Sequence, residues 1–363
     1  MRVLIAPDSF GDTLSAVAAS RAIARGWSAA RPADDVRCAP QSDGGPGFVD
    51  VLASRLGTMR TATVAGPLGA AVDARWLLDD SESRPVAYIE CAQACGLHQL
   101  GGRPTPRTAV SADTTGVGEL MVEALGAGAA TIVVGLGGSA TTDGGRGMID
   151  ALGGAREAAA RLADVSLVAA SDVENPLLGQ WGAASVFGPQ KGADPATVEL
   201  LERRMTDHNA TLTTIAGRDI SVEEGAGAAG GLGAALLALG ARRISGATVV
   251  ADATGRAADV EAAGLVITGE GKFDSQTLRG KVVAALTAAA TAAGIPTVVF
   301  AGQVAFTSDE IAAAGIAGAH AIVDIAGSVE VAMNDADHQL TRLAEQVAAQ
   351  WSEGDVERGS RGA

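Results

Sequence analysis

The stretch VLIAPDSFGDTLSA, residues 3–16, decides the fold, because an apolar run passes directly into a glycine loop and then into an Ala-rich helical pattern. The same order recurs in TIVVGLGGSATTDGG, residues 131–145, and in LVITGEGKFDSQTLRGK, residues 265–281. Short apolar strands that alternate with helices are typical of βαβ units, so the sequence predicts an α/β fold with a largely parallel sheet. Ligands of such sheets bind beyond the carboxyl ends of the strands, and we expect a site in these loops. The pattern predicts strands over residues 3–6, 131–134, 265–268 and 297–300, and helices over about 15–29 and 280–293.

The chain length of 363 residues suggests two domains, since a domain typically holds about 150 residues. Strand signals are clearest near both ends, whereas the middle of the chain contains scattered glycine loops. We therefore expect a discontinuous layout. Residues 1–60 and 265–351 would share one doubly wound sheet, residues 61–264 would form an inserted α/β domain, and residues 352–363 would form a flexible tail.

The charge balance excludes some partners. The formal net charge is −15, which argues against a nucleic-acid backbone or an anionic membrane surface and favours a small-molecule substrate. An anionic ligand must then be held by local donors. The three lysines, Lys191, Lys272 and Lys281, each lie beside a glycine and are candidates for that contact.

The three cysteines, Cys38, Cys91 and Cys95, form neither a disulfide framework nor a paired metal motif. Together with a start that lacks a signal-peptide pattern, they predict a cytoplasmic protein. A homodimer is compatible with the sequence, which does not determine the oligomeric state.

The glycine loop of residues 135–145 can cradle a phosphate, because residues without bulky side chains let backbone N–H groups converge on an anion. Gly137, Gly138, Ser139 and Asp143 are its candidate binding residues. The first half also matches the dinucleotide fingerprint G-x-G-x-x-A, which would suggest an oxidoreductase. The following TTDGG should interrupt the helix that this fingerprint needs, so the sequence disfavours that function. A tight turn between packed elements is the structural alternative.

The segment TGEGKFDSQTLRGK, residues 268–281, concentrates charged groups at the end of a strand. Carboxylates of Glu270 and Asp274 could hold Mg²⁺, and the ammonium of Lys281 could meet a phosphate at the start of the next helix. Gln276 is a further binding candidate. The spacing does not match a Walker A loop, and a solvated helix cap is the alternative.

Further candidates lie in four other loops. Asp8, Ser9 and Asp43 follow the first two strands, where a carboxylate can act as a base or cap a helix. Lys191 lies between a Gly-Pro turn and the helix start predicted at Pro195. Asn175 in SDVENPLLG is a further binding candidate, but Asp and Asn before Pro commonly form turns, so a purely structural role explains this segment equally well.

The chain resembles the bacterial glycerate kinase family, of the glycerate 2-kinase type, in an ordered set of motifs over roughly residues 3–302: PDSFGDTLSA, DGGPG, GPLG, TTGVGEL, GLGGSATTDGG, ASDVENPLLG, FGPQKGA, GAGAAGGLGAAL and ITGEGKFDSQTLRGK. This resemblance implies ATP-dependent phosphorylation of D-glycerate at the 2-hydroxyl. It also implies a flavodoxin-like parallel-sheet domain with an inserted second α/β domain.

The resemblance implies phosphoryl transfer, a reaction that needs its reactants positioned and their charge neutralised, and the roles of the candidate residues follow from these needs. We expect catalytic roles for Asp8, Asp43, Lys191 and Lys281, and metal binding by Glu270 and Asp274, with ATP and Mg²⁺ as cofactors. Asp8, Asp43, Glu270 and Asp274 are expected to face one cleft between the domains. The residues expected to bind substrate or nucleotide are Ser9, Gly44, Gly137, Gly138, Ser139, Asp143, Asn175 and Gln276.

The chain departs from the family pattern in three of these loops. In the glycine loop, Thr142 stands where the family usually has Asn, and Arg146 stands where it has a small residue. Gly11 and Asp12 stand where the family usually has Lys-Gly, and Pro46 stands where it usually has an acid. Positions 11 and 12 thereby lose a cation and gain a carboxylate, and position 46 loses an acid, so reduced turnover is expected. The alternatives are a binding or regulatory protein derived from a kinase, and a kinase for a related hydroxy acid.

Overall fold

A computed structural model describes residues 1–275, 277 and 282–351. The predicted tail at 352–363, and the candidates Gln276 and Lys281, lie outside the described residues. The strands of the described residues are β1 (Arg2–Ile5), β2 (Asp35–Cys38), β3 (Thr58–Ala65), β4 (Ala71–Asp79), β5 (Val86–Glu90), β6 (Thr131–Gly135), β7 (Ser166–Ala170), β8 (Arg242–Ile244), β9 (Leu265–Phe273), β10 (Thr297–Val304) and β11 (Gly318–Ala321).

The α-helices of the same residues are α1 (Ala16–Ala30), α2 (Phe48–Ala53), α3 (Ala92–Cys95), α4 (Pro106–Ser111), α5 (Thr115–Gly126), α6 (Arg146–Ala151), α7 (Ala155–Leu162), α8 (Ala183–Phe187), α9 (Pro195–Ala216), α10 (Leu232–Ala238), α11 (Gly246–Thr254), α12 (Arg256–Glu261), α13 (Val282–Ala292), α14 (Ser308–Ala313), α15 (Ile322–Ala326), α16 (Val329–Asn334) and α17 (Ala336–Gln350). Short 3₁₀ helices cover Leu97–Leu100, Pro189–Lys191 and Ala228–Gly231. Within the described residues, no helix is long and apolar enough to cross a membrane.

The chain divides into two compact units. The first contains Met1–Ser42 and the chain from Val250 onward, and the second is Asp43–Val249. The sequence suggested changes of domain at residues 60 and 264, which differ from these positions. The physical reason is packing: α2 lies on β4 and β5 of the second unit, whereas α12 lies on α13 of the first.

The first unit is built on a parallel five-stranded sheet in the order β11-β10-β9-β1-β2. Val3 pairs with Val36 on one side and with Leu265 on the other. Helices α1 and α17 pack together on this sheet, where Trp27 is fully buried. Gly26 permits their close approach, because a Cβ there would lie 2.0 Å from the carbonyl oxygen of Thr341. The predicted first strand and helix are confirmed, and Ser15 caps α1 through a hydrogen bond from Ala18 N.

The second unit contains a mixed six-stranded sheet in the order β3-β4-β5-β6-β7-β8. Its β3–β4 and β4–β5 pairs are antiparallel, and the remaining pairs are parallel. Strand β6 ends in the predicted glycine loop, and α6 begins only at Arg146, so TTDGG does interrupt the helix that a dinucleotide fingerprint needs. Cys91 and Cys95 are fully buried, as expected for core residues.

Candidate functional site

In the first unit, the loop after β1 lies against β9. The backbone N–H of Asp8 donates a 2.8 Å hydrogen bond to the carbonyl oxygen of Gly269. The N–H of Ser9 donates to Asp8 Oδ1 at 2.6 Å, and both residues are half-buried. The sheet therefore brings Asp8 and Ser9 beside the residue that precedes Glu270.

Glu270 and Asp274 are joined by the hydroxyl of Thr277. This hydroxyl donates to Glu270 Oε1 and accepts a 3.2 Å hydrogen bond from Asp274 N. Asp274 also forms an ion pair at 3.1 Å with Lys272, whose side chain is 61% exposed. We refer to Glu270, Lys272, Asp274 and Thr277 as the β9-end cluster.

The β9-end cluster fits Mg²⁺ in the chemistry of its donors. Mg²⁺ prefers oxygen ligands and is commonly held by one or two carboxylates, with water and substrate phosphates completing its shell. No group of three or more His, Cys, Asp or Glu side chains suited to a metal ion occurs in the described part of the chain. The carboxylate oxygens of Glu270 and Asp274 are thus the donors that this cluster offers to a metal, and the Thr277 hydroxyl links the Glu270 carboxylate to the backbone N–H of Asp274.

Arg256 and Gln41 form a pair that the sequence did not reveal. The Gln41 side chain is fully buried, and its Nε2 donates to the carbonyl oxygens of Ala39 at 2.8 Å and Pro40 at 3.2 Å. The amide oxygen is thereby presented to Arg256 Nη1, which donates to it at 3.2 Å. Burial lowers the pKa of the Arg256 guanidinium. Because Gln41 N also bonds to Pro7 O at 2.9 Å, the guanidinium lies near the loop that carries Asp8.

The second unit contains two DGGxG loops, residues 43–47 and 143–147. In each loop the aspartate accepts a hydrogen bond from the N–H of the second glycine, at 3.0 Å for Asp43 and 3.1 Å for Asp143.

Asp143 makes further hydrogen bonds that hold its loop. It accepts from Gly147 N at 3.0 Å and from the backbone N–H and hydroxyl of Thr114 at 3.0 and 2.8 Å. Burial raises the pKa of Asp143. Its carboxylate therefore holds the loop in place.

The first of these loops packs against the glycine loop after β6. Gly137 N donates to Gly44 O at 3.1 Å, and a Cβ on Gly137 would lie 2.4 Å from the Cα of Gly45. Gly138 has a φ of +74°, and a Cβ there would meet Pro46 Cγ at 2.6 Å. Only glycine satisfies both the left-handed backbone and the close contact. The predicted residues Gly44, Gly137 and Gly138 thus lie together.

Lys191 holds the same glycine loop from inside the second unit. Its side chain is buried, and Nζ donates to Ser139 Oγ at 3.0 Å and to the carbonyl oxygen of Thr141 at 2.6 Å. Burial lowers the pKa of Lys191 to about 8. The structure therefore brings Lys191 and Ser139 together, with the ammonium positioning the loop.

Glu90, at the end of β5, is a second buried group that the sequence analysis missed. Its Oε2 accepts hydrogen bonds from Gly47 N at 3.0 Å and Val49 N at 3.4 Å, which fixes the start of α2. Burial raises the pKa of Glu90. The only sequence signal was an acid at the end of an apolar run, in YIECA.

Asn175 lies apart from these contacts. Its Nδ2 donates to the carbonyl oxygen of Trp181 at 2.8 Å, and its own carbonyl accepts from Gly227 N at 2.9 Å. The segment that carries Gly227 continues to Gly230, whose carbonyl oxygen accepts from Gly144 N at 3.0 Å. Through that segment, Asn175 is linked to the glycine loop. The expectation of one cleft shared by Asp8, Asp43, Glu270 and Asp274 stays a prediction.

Comparison with known proteins identifies the family. The sequence profile described as the glycerate kinase family matches residues 3–156 and 154–352, which is nearly the whole chain. The chain belongs to the glycerate kinase family. A glycerate kinase of Bacillus subtilis is 38% identical over 376 residues, covering 96% of this chain and 97% of the relative. A glycerate 2-kinase of Escherichia coli is 35% identical over 375 residues, with the same coverage of both chains.

Two further similarities bear on this glycerate kinase family member. An uncharacterised protein of Mycobacterium tuberculosis is 57% identical over 349 residues, covering 96% of this chain and 91% of its own. The crystal structure described as glycerate kinase 2 from Salmonella typhimurium LT2 has a TM-score of 0.78 at 34% identity, with 99% of both chains covered. The expected family and the two-domain α/β fold are confirmed.

Proposed function

We propose that the protein transfers a phosphoryl group from ATP to the 2-hydroxyl of D-glycerate. The observation that carries this proposal is the match of the glycerate kinase family along nearly the whole chain, which includes every loop described above. Among the described residues, Cys91 and Cys95 are buried thiols rather than a disulfide, which supports a reducing, cytoplasmic location.

The glycine loop at Gly137–Ser139 supplies the neutral part of the phosphate site. Gly138 is exposed, so its surroundings are open to a ligand, while the buried ammonium of Lys191 keeps the loop fixed. Fixed donors cost no reorganisation when charge develops on the transferring group. We assign Lys281 to direct phosphate contact on the basis of its sequence position alone.

Mg²⁺ would be held by Glu270 and Asp274, and it would neutralise charge on the nucleotide phosphates. Thr277 keeps Glu270 oriented, and Lys272 neutralises Asp274 when no metal is bound. Asp8 and Asp43 are the candidates for orienting the acceptor hydroxyl and accepting its proton, because both are half-buried at the ends of segments that leave a sheet.

Arg256 is the proposed anchor for the substrate carboxylate. A guanidinium carries five N–H donors in a planar fork that matches a carboxylate, and Arg256 donates one of them to Gln41 Oε1. Among the described residues this half-buried guanidinium has one hydrogen bond, to Gln41, and the Asp252 carboxylate as its charge partner, so it has donors left for an anionic ligand.

Reduced turnover follows from the loop after β1. Gly11 and Asp12 are exposed, and they stand where the family usually has Lys-Gly. This surface therefore carries a carboxylate and lacks the usual lysine. The same observation supports the second candidate, a protein that keeps nucleotide binding but has lost efficient transfer.

The test is a coupled assay of ADP release with D-glycerate, run beside thermal-shift binding of ATP. Release that depends on D-glycerate supports the kinase, whereas ATP binding without release supports the second candidate. Arg256→Gln should raise the KM for glycerate about tenfold or more and leave the KM for ATP unchanged, as expected on losing a charge-assisted contact. Arg37→Gln is the matched control, because Arg37 is an exposed arginine of the same unit that pairs with Asp259 at 2.9 Å. An unchanged glycerate KM in Arg256→Gln would remove Arg256 from the site.

A further inference from the structure

A cavity of about 280 Å³ in the first unit has no role in the functions assigned above. Its walls come from the loop after β1, from β9 and β10, and from α15, α16 and α17. In the order β11-β10-β9-β1-β2, the chain proceeds from β1 toward one edge and from β9 toward the other. The cavity therefore lies at the switch point of the sheet, where open α/β sheets bind their ligands.

The walls of the cavity are mainly apolar. Phe10 and Ile322 are buried behind it, while Val329 and Met333 are 44% and 56% exposed at its mouth. Asp12 is the one charged side chain among the described residues that line it. Without a cation, these walls do not favour a phosphate or a carboxylate, so they suit an uncharged group. The volume lies just below the usual range of about 300–1,000 Å³ for ligand pockets, which fits one ring system better than a whole nucleotide.

The shape and the rim favour a flat heterocycle. Gly271 and Gly302 form part of the wall without side chains, and a Cβ on Gly302 would lie 2.4 Å from the carbonyl oxygen of Gly271. At the rim, the exposed Gln303 side chain has no hydrogen-bond partner among the described residues. Its amide can both donate and accept, and the Asp12 carboxylate can accept from an exocyclic amino group.

We propose that this cavity binds the purine base of the nucleotide phosphoryl donor, with the ring against Phe10 and Met333 and its polar edge toward Gln303 and Asp12. The inference rests on the proposed use of ATP, and it assigns the base to the first unit. Burial of the ring against apolar and aromatic side chains supplies affinity that does not depend on the phosphates.

The test measures equilibrium binding of ADP, adenosine and inorganic tripolyphosphate to the full chain by calorimetry. Met333→Glu places a carboxylate at the mouth of the cavity, and Val329→Glu provides a second variant at the same mouth. Val331→Glu is the matched control, because Val331 is a 42% exposed apolar residue of the same helix that does not line the cavity. All three positions are exposed, so each variant is expected to fold.

We expect the Kd for ADP and for adenosine to rise at least about tenfold in Met333→Glu and Val329→Glu. Tripolyphosphate binding should stay unchanged in both variants, and Val331→Glu should bind all three ligands like the wild type. Unchanged ADP binding in Met333→Glu and Val329→Glu overturns the base assignment but leaves the proposed kinase function standing. If Met333→Glu instead dissociates an oligomer at unchanged ADP affinity, the patch is a contact between copies, and the assignment is wrong. A wild-type protein that binds no adenine nucleotide refutes ATP use itself, and the base assignment falls with it.

Discussion

Replacing Lys191 by methionine should lower kcat/KM while leaving the free energy of unfolding at pH 7 nearly unchanged. The substitution leaves Ser139 Oγ and the carbonyl oxygen of Thr141 without the ammonium that now lies 3.0 and 2.6 Å away. An unsatisfied buried group costs about 1–3 kcal/mol, so these losses destabilise the fold. The removal of a buried charge acts in the opposite direction.

The size of that opposing effect follows from the pKa of Lys191, which burial lowers from 10.5 to about 8. Each pH unit corresponds to about 1.4 kcal/mol, so the fold disfavours the charged lysine by about 3 kcal/mol. The two effects largely cancel at pH 7. In contrast, kcat/KM should fall about 10- to 100-fold, because the glycine loop loses a charge-assisted contact worth about 1.5–3 kcal/mol.

The pH dependence of stability gives a sharper signature. Between pH 8 and 10.5 the unfolded chain still holds the proton that folded Lys191 has released, so the wild-type free energy of unfolding rises with pH in this window. Lys191→Met lacks this rise. Its free energy of unfolding should therefore fall behind that of the wild type by a further ~2–3 kcal/mol between pH 7 and 10.

Urea unfolding of both proteins across this pH range measures the effect, and steady-state kinetics at pH 7 measures the loss of activity. Lys272→Met is the control for stability, because it makes the same substitution at a side chain that is 61% exposed. Parallel pH profiles for wild type and Lys191→Met would refute the assignment of a buried, charged lysine. Unchanged kinetics would refute its role in positioning the loop.

Three further predictions concern other loops. Glu90→Gln should raise the free energy of unfolding at pH 7, because burial raises the pKa of Glu90 above 4.5 and ionisation of this side chain therefore costs stability as the pH rises. Urea unfolding should show this gain at pH 7 and its disappearance toward pH 4. A lower free energy of unfolding for Glu90→Gln at pH 7 would contradict this prediction. Restoring Lys-Gly at positions 11 and 12 together with Glu at 46 should raise kcat/KM for D-glycerate by up to two orders of magnitude, about 3 kcal/mol. Gly11→Lys alone should gain less, because it leaves the Asp12 carboxylate beside the new lysine and leaves Pro46 in place. Lys281→Met should weaken nucleotide binding or turnover at least several-fold with little change in thermal stability, and unchanged kinetics would leave Lys281 as a solvated cap.

Local patterns were sufficient to predict much of the framework. Ser15 followed by an Ala-rich periodic stretch indicated the start of α1, and Asp194 with Pro195 at the start of α9 follows the same rules of capping. The glycine loop after β6 was predictable for a similar reason, since its sequence excludes both a strand and a helix.

Contacts between distant residues were not predictable from the sequence. Strand β9 extends to Phe273, beyond the predicted end at residue 268, because pairing of Lys272 with Gln303 on β10 stabilises a segment rich in glycine and charge. Arg256 and Gln41 are 215 positions apart. Nothing in the surrounding Ala-rich helix distinguishes this arginine from a solvated one, so only the fold reveals its partner.

The most direct test of the account is ³¹P NMR of a reaction containing the full-length protein, MgATP and D-glycerate. We expect signals of ADP and of 2-phosphoglycerate to grow in equal amounts, at a kcat below the ~10 s⁻¹ of an ordinary metabolic enzyme. Formation of 3-phosphoglycerate would contradict the assigned acceptor hydroxyl. An ATP signal that stays unchanged with D-glycerate, at protein concentrations where ATP is bound, would contradict the kinase function itself.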